Sequence, residues 1–131
     1  MIIPMSKVSL KMENVAVVGA SPKDNRYSNI AMQMLAEHGH NPIPVAPARK
    51  EVLRRKTYPT LSSVPDRIDT ITMYIRPSRQ AQVLDDVVQI RPNRIIFNPD
   101  TENPSEYARL RLAGIEVIEA CTLIMLSTGQ F

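Results

Sequence analysis

The sequence has one cysteine, two phenylalanines, four tyrosines and no tryptophan in 131 residues. A single cysteine excludes an internal disulfide and suits a reducing compartment, so the expected location is the cytoplasm. Few aromatic side chains leave little for bases to stack on, which disfavours a single-stranded RNA binder. No apolar run reaches the roughly 18 residues of a membrane-spanning helix. The opening MIIPMSKVSLKMEN has scattered apolar residues and no small-residue cleavage site, so it reads poorly as a signal peptide. Glycine is scarce where a nucleotide-binding loop would use it most. VAVVGASPKDNRYSN, residues 15–29, holds only Gly19, against three glycines in the dinucleotide fingerprint.

What is present is ordinary globular material, 44% hydrophobic and 22% charged, at a length that buries the core of one domain. Residues 1–13 read as an N-terminal extension and 14–131 as the domain. The net charge of +3 is modest, but ARKEVLRRK (48–56) gathers Arg49, Lys50, Arg54, Arg55 and Lys56. Such a run is ordinarily a solvated face. A small nucleic-acid-binding module built on it is the weakest of the readings below.

Along the chain, apolar runs alternate with helical periodicity. VAVV (15–18) is a buried strand. Residues 28–38 predict a helix capped by Ser28, with Ile30, Ala31, Met34, Leu35 and His38 on one face and Gly39 as its stop. NPIPVAP (41–47) predicts a second strand whose prolines suit an edge or a strand end. Residues 48–69 predict at most short helical turns, near 49–54 and 61–64. DTITMYI (69–75) is strand three, 79–91 a helix, RIIF (94–97) strand four. Asn103-Pro104-Ser105-Glu106 predicts a helix start with a capping box, and IEVIE (115–119) is strand five, with a short helix or turn after Cys121. The alternation predicts an α/β fold, a single-domain Rossmann-like doubly wound parallel five-stranded sheet, with 3-2-1-4-5 the expected order.

In such sheets ligands bind beyond the carboxyl ends of the strands, where strand order reverses, here expected between strands one and four. The converging segments are Gly19-Ala20-Ser21, Val45-Ala46-Pro47, Ile75-Arg76-Pro77, Asn98-Pro99-Asp100 and Ala120-Cys121. Ser21 and Asp24 occupy the second and third glycine positions of the fingerprint, so the motif fails as written. Its physics partly survives: Gly19 permits the turn, small Ala20 and Ser21 admit a phosphate, and Arg26 precedes a helix N-terminus. A phosphate-binding turn and a bare structural turn both stay open. Strand two ends without the carboxylate that would hold the ribose of NAD, and basic residues follow instead. That favours a ligand with a ribose phosphate, such as NADP or coenzyme A.

VAVVGASPKDNRYSNIAMQML, PIPVAPARKEVLRRKTYPTLSSVPDRIDTI and RIIFNPDTENPSEYARLRLAGIEVIEACTLI together resemble the small stand-alone CoA-binding domain proteins. These are relatives of the CoA-binding domain in the succinyl-CoA synthetase α subunit. The resemblance covers about residues 14–131 and rests on Gly-Ala-Ser-Pro with a following Arg, Pro-Val-x-Pro, Tyr-Pro-x-Leu and the late Cys, in order. It implies that Gly19, Ala20, Ser21 and Arg26 meet the CoA pyrophosphate. Pro47 and Arg49 or Lys50 would lie near the adenosine end, and Arg76 and Pro77 would close over the site, with Asn98 at the same end of the sheet. The chain departs from the family in carrying Asp100 where glycine is usual after strand four. It departs again in ending strand three with Tyr-Ile-Arg-Pro.

The synthetase's phosphorylated histidine lies outside this domain, and His38 and His40 flank Gly39 at the far end of the first helix. Cys121 is the one candidate nucleophile; a packing role is its first reading and a redox thiol the rival. Asp85, Asp86 and Asp100 lack metal-ligand or paired-carboxylate spacing. The sequence therefore reads as a binder of CoA or an acyl-CoA that reveals no catalytic machinery. An NADP-type redox protein is the alternative, no membrane is involved, and the sequence names no partner protein.

Overall fold

The computed structural model describes residues 11–48 and 50–131. Five parallel strands form the main sheet: β1 (Asn14–Val18), β2 (Asn41–Val45), β5 (Thr70–Met73), β6 (Arg94–Phe97) and β7 (Glu116–Glu119). A two-stranded antiparallel ribbon, β3 (Glu51–Val52) with β4 (Arg55–Lys56), stands apart. The helices are α1 (Tyr27–Glu37), α2 (Ala81–Ile90), α3 (Tyr107–Leu112) and α4 (Thr122–Ser127). None is long and apolar enough to cross a membrane.

The doubly wound parallel sheet is the architecture the sequence predicts. Its spatial order is β2-β1-β5-β6-β7. The third long strand therefore lies between the first and fourth, where 3-2-1-4-5 puts it outside the second. The prolines explain the difference. The carbonyl of Pro44 points away from β1 and accepts the Tyr58 N–H at 3.0 Å. Pro42, two residues earlier, shares that side, so neither offers an N–H to a further strand. β2 is an edge, closed by one bridge from Val45 to Tyr58, and β5 pairs with the free side of β1.

Two apolar clusters flank the sheet. Leu84, Val87 and Leu110 from α2 and α3 pack on Ala16, Ile71, Ile95 and Phe97. Met32, Leu35 and Leu126 from α1 and α4 pack on Val15 and Val17. The buried residues of α1 are Ser28, Asn29, Ala31, Met32 and Leu35, a face turned from the one its apolar spacing predicts. Buried Asn29 is held by the preceding loop, and that polar tie sets the rotation.

Two local expectations are corrected. Residues 49–54 were expected to hold a helical turn; instead Leu53 and Arg54, both at positive φ (51° and 63°), make the tight turn of the ribbon. Such turns ordinarily advertise themselves with Asn or Gly, absent here. Asn103 makes no side-chain cap. The chain instead enters through a 3-10 turn, Pro104–Glu106, and the Glu106 carboxylate accepts from Arg109 at 3.1 Å rather than closing a capping box.

Candidate functional site

β1 delivers its last buried residue, Val18, to Gly19, whose φ is +92°. A Cβ there would sit 2.8 Å from Ile75 Cγ2 and 3.2 Å from the Tyr74 carbonyl. Conformation and crowding both demand glycine, because β1 and β5 end side by side. The following loop is tied down locally. The Lys23 N–H donates to Ser21 Oγ at 3.2 Å. Asn29 Nδ2 donates to the Ser21 carbonyl at 2.9 Å, while its Oδ1 accepts from Gln33 at 2.7 Å. α1 then starts at Arg26 with no side-chain cap. The Asn29 N–H already donates to the Arg26 carbonyl at 3.0 Å, which leaves the Tyr27 and Ser28 N–H groups to carry the positive end of the helix dipole.

The neighbouring loops are fixed by buried amides. Gln80, fully buried, donates to the carbonyls of Ile75 at 2.9 Å and Thr101 at 2.7 Å and accepts from Asn103 at 3.1 Å. It clamps the loop after β5 to the loop after β6. Asn98 donates to Thr72 Oγ1 at 2.7 Å and to the Met73 carbonyl at 2.8 Å, and accepts the Thr122 N–H at 2.8 Å.

Between these loops lies a crevice of about 700 Å³. It opens between β1 and β5, where the observed strand order reverses, and not between the first and fourth strands as the expected order implied. Lys23, Arg26, Arg76 and Arg79 line it. None of the four belongs to an ion pair among the described residues. Asp100, at φ 75°, is the single carboxylate on its lining. An apolar side compartment of about 320 Å³ adjoins it, walled by Val18, Val45, Leu61, Ile75 and Val83, with Gly19, Ala46, Pro47 and Arg79 shared between the two. Unpaired cations, uncapped amides and an apolar slot make a receptor for a polyanion carrying a planar or aliphatic group.

Of the residues singled out from sequence, Gly19, Ala20, Ser21, Arg26, Pro47 and Arg76 converge on the crevice. Lys50 is exposed outside it, its carbonyl accepting the Thr57 N–H, and Arg49 lies outside the described residues. Pro77 opens the 3-10 turn Pro77–Arg79 without lining the crevice. Asn98 is 2% exposed and joins the loops internally instead of facing the crevice. Cys121 is half-buried at the start of α4, off the crevice lining. Sequence reasoning did not single out Lys23, Tyr27, Tyr74, Arg79 or Thr101, all of which line the crevice. For Arg79 the signal was available, since Pro77 starts a single 3-10 turn that swings the chain back over the strand ends. His40 and His38 lie at the opposite end of the sheet, where His40 Nδ1 accepts the Glu13 N–H at 3.1 Å.

A CoA binding domain family model matches residues 13–127. A crystal structure of an uncharacterised protein is 37% identical with a TM-score of 0.82, covering 92% of this chain and 99% of its own. A hypothetical protein from Pyrococcus horikoshii OT3 is 29% identical at a TM-score of 0.85, covering 90% of this chain and 84% of its own. The dinucleotide-forming acetyl-coenzyme A synthetase 1 of Ca. Korarchaeum cryptofilum shares the fold over 80% of this chain and 25% of its own, at 22% identity and a TM-score of 0.71. With the family match spanning nearly the whole described chain, the protein belongs to the CoA-binding domain family.

Proposed function

We propose that the protein binds coenzyme A or an acyl-CoA in the crevice at the carboxyl ends of the strands, as a binder without chemistry of its own, and that it does so in the cytoplasm. The observation that carries the reading is the convergence, at the start of α1, of four cations that have no ion pair among the described residues. The pyrophosphate would rest on Gly19, Ala20 and Ser21 with Arg26 beside it. The ribose phosphate would meet Arg76 and Arg79. The apolar side compartment beside Pro47 suits the adenine ring.

The test is calorimetric titration with CoA, 3′-dephospho-CoA, NADP and NAD. CoA is expected to bind best, and dephospho-CoA more weakly at low salt, with the gap narrowing as salt rises. Arg26→Ala is expected to weaken CoA by about 1.5–3 kcal/mol, the scale of a charge-assisted hydrogen bond. Tighter binding of NADP than of CoA would replace this reading with a redox one.

A further inference from the structure

The apolar compartment beside the crevice grips whatever enters it, but its aliphatic walls cannot tell one planar group from another. Much of its polar edge comes from α2, where Gln82 and Asp86 lie one turn apart and both line the compartment. Gln82 Nε2 donates to Asp86 Oδ1 at 3.4 Å, a long contact that stabilises a helix only weakly. The neighbouring acid is used differently. The Asp85 carboxylate meets Arg109 at 3.0 Å, whereas half-buried Asp86 has no ion pair among the described residues. Thr60, also at the edge, has its hydroxyl 3.1 Å from Ser62 Oγ. Asp86 is left as an acceptor at the rim of a slot whose walls give it no donor.

The order of donors and acceptors selects the group that fits. An ionised carboxylate only accepts, while the Gln82 amide beside it has a second N–H to give. An exocyclic amino group next to a ring nitrogen matches the pair: the amino group donates to the acid and the ring nitrogen accepts from the amide. Adenine carries that arrangement, and a purine without the amino group has nothing to offer the carboxylate. Arg79 lines both cavities, so the base and the phosphates of one nucleotide would meet adjoining surfaces. We propose that Asp86 is a specificity residue that accepts a hydrogen bond from the 6-amino group of adenine, with Gln82 holding it in place. This rests on the coenzyme A reading above.

The experiment titrates CoA, adenosine 3′,5′-bisphosphate and purine riboside 3′,5′-bisphosphate into wild type, Asp86→Ala and Asp85→Ala. The purine compound lacks only the amino group. Each variant removes one negative charge from α2, and alanine keeps the helix. Wild type and Asp85→Ala are expected to bind the adenosine compound about tenfold tighter than the purine one, the scale of a hydrogen bond to a charged group. In Asp86→Ala that ratio is expected to fall below about three, as the acceptor is gone. An unchanged ratio in Asp86→Ala overturns the proposal, and so does a wild type indifferent to the amino group. An equal fall in Asp85→Ala also overturns it, since a charge effect from the helix surface would then explain both. If wild type binds neither CoA nor the bisphosphates, the coenzyme reading itself fails and this proposal falls with it. CoA binding retained without preference for the amino group removes the Asp86 role alone.

Discussion

The two ends of the sheet are built to opposite rules. At the amino ends of the strands the charged groups are partnered. Arg94 meets Glu13 at 3.2 Å, donates to Thr70 at 2.9 Å and to the Phe131 carbonyl at 3.3 Å, and lies 4.3 Å over the Phe131 ring. Asp69 accepts the Asn14 N–H at 2.8 Å, and Arg67 reaches both Asp69 and Asn93. At the carboxyl ends Lys23, Arg26, Arg76 and Arg79 have no ion-pair partner among the described residues, and Ala48 and Asp100 sit at positive φ. Unpaired cations around a crevice at one end, and partnered charges at the other, set the two ends of the sheet apart.

The sharpest way to break this comparison is to move a deletion from one end to the other. Arg94→Ala removes a mostly buried cation and leaves Glu13 unpaired, so it should cost about 3 kcal/mol in chemical denaturation. CoA affinity per folded molecule should stay within twofold of wild type. A loss of binding with no loss of stability would invert the assignment of the two ends. Gly19→Ala tests the junction of strand and crevice. Its φ of +92° and its 2.8 Å approach to Ile75 predict a cost of about 2 kcal/mol in stability together with weakened binding.

Arg76→Ala is the counterpart of Arg94→Ala. Stability should stay within about 0.5 kcal/mol, as for a surface substitution, while CoA binding weakens by about 1.5 kcal/mol in titration. A fall in thermal midpoint without a change in affinity would mark Arg76 as structural. The smallest effect concerns pH. Burial, the largest influence, lowers the His40 pKa below its ordinary 6.5, against the opposing pull of Glu13. The unfolded chain then binds the proton more readily than the folded one, so His40's contribution is complete above pH 6.5 and declines as pH falls below it. His40→Asn places an oxygen where Nδ1 accepts the Glu13 N–H, and the variant should show a shallower loss of midpoint between pH 7 and 5. Identical slopes would remove His40 from the acid response.

Much of the fold was readable because its signals are local. The β-branched runs at 15–18 and 94–97 and the Gly39 and Gly114 stops mark elements whose burial pattern follows from composition alone. Even the edge position of β2 was announced by Pro42 and Pro44, and it is those prolines, taken seriously, that exclude the 3-2-1-4-5 order. The ribbon at 51–56 was hidden because Leu53 and Arg54 adopt positive φ without the residues that usually do so. The half of the candidate site formed by the loop after β1 was legible, since a strand, one glycine, small residues and a helix start follow one another in sequence. Thr101 was not, because the buried Gln80 that ties its carbonyl to that of Ile75 joins loops far apart in sequence.

The sequence by itself determined the class of fold, the end of the sheet where the crevice opens, and the cationic, glycine-poor character of the loop after β1. Each depends on neighbours within a few residues. Tertiary structure alone decided which strand lies beside β1, and therefore which loops face each other across the crevice. It assigned Asn98 and Gln80 to holding loops together and drew Arg79 to the lining. Whether a polar group is spent or free is a property of groups far apart in sequence and close in space.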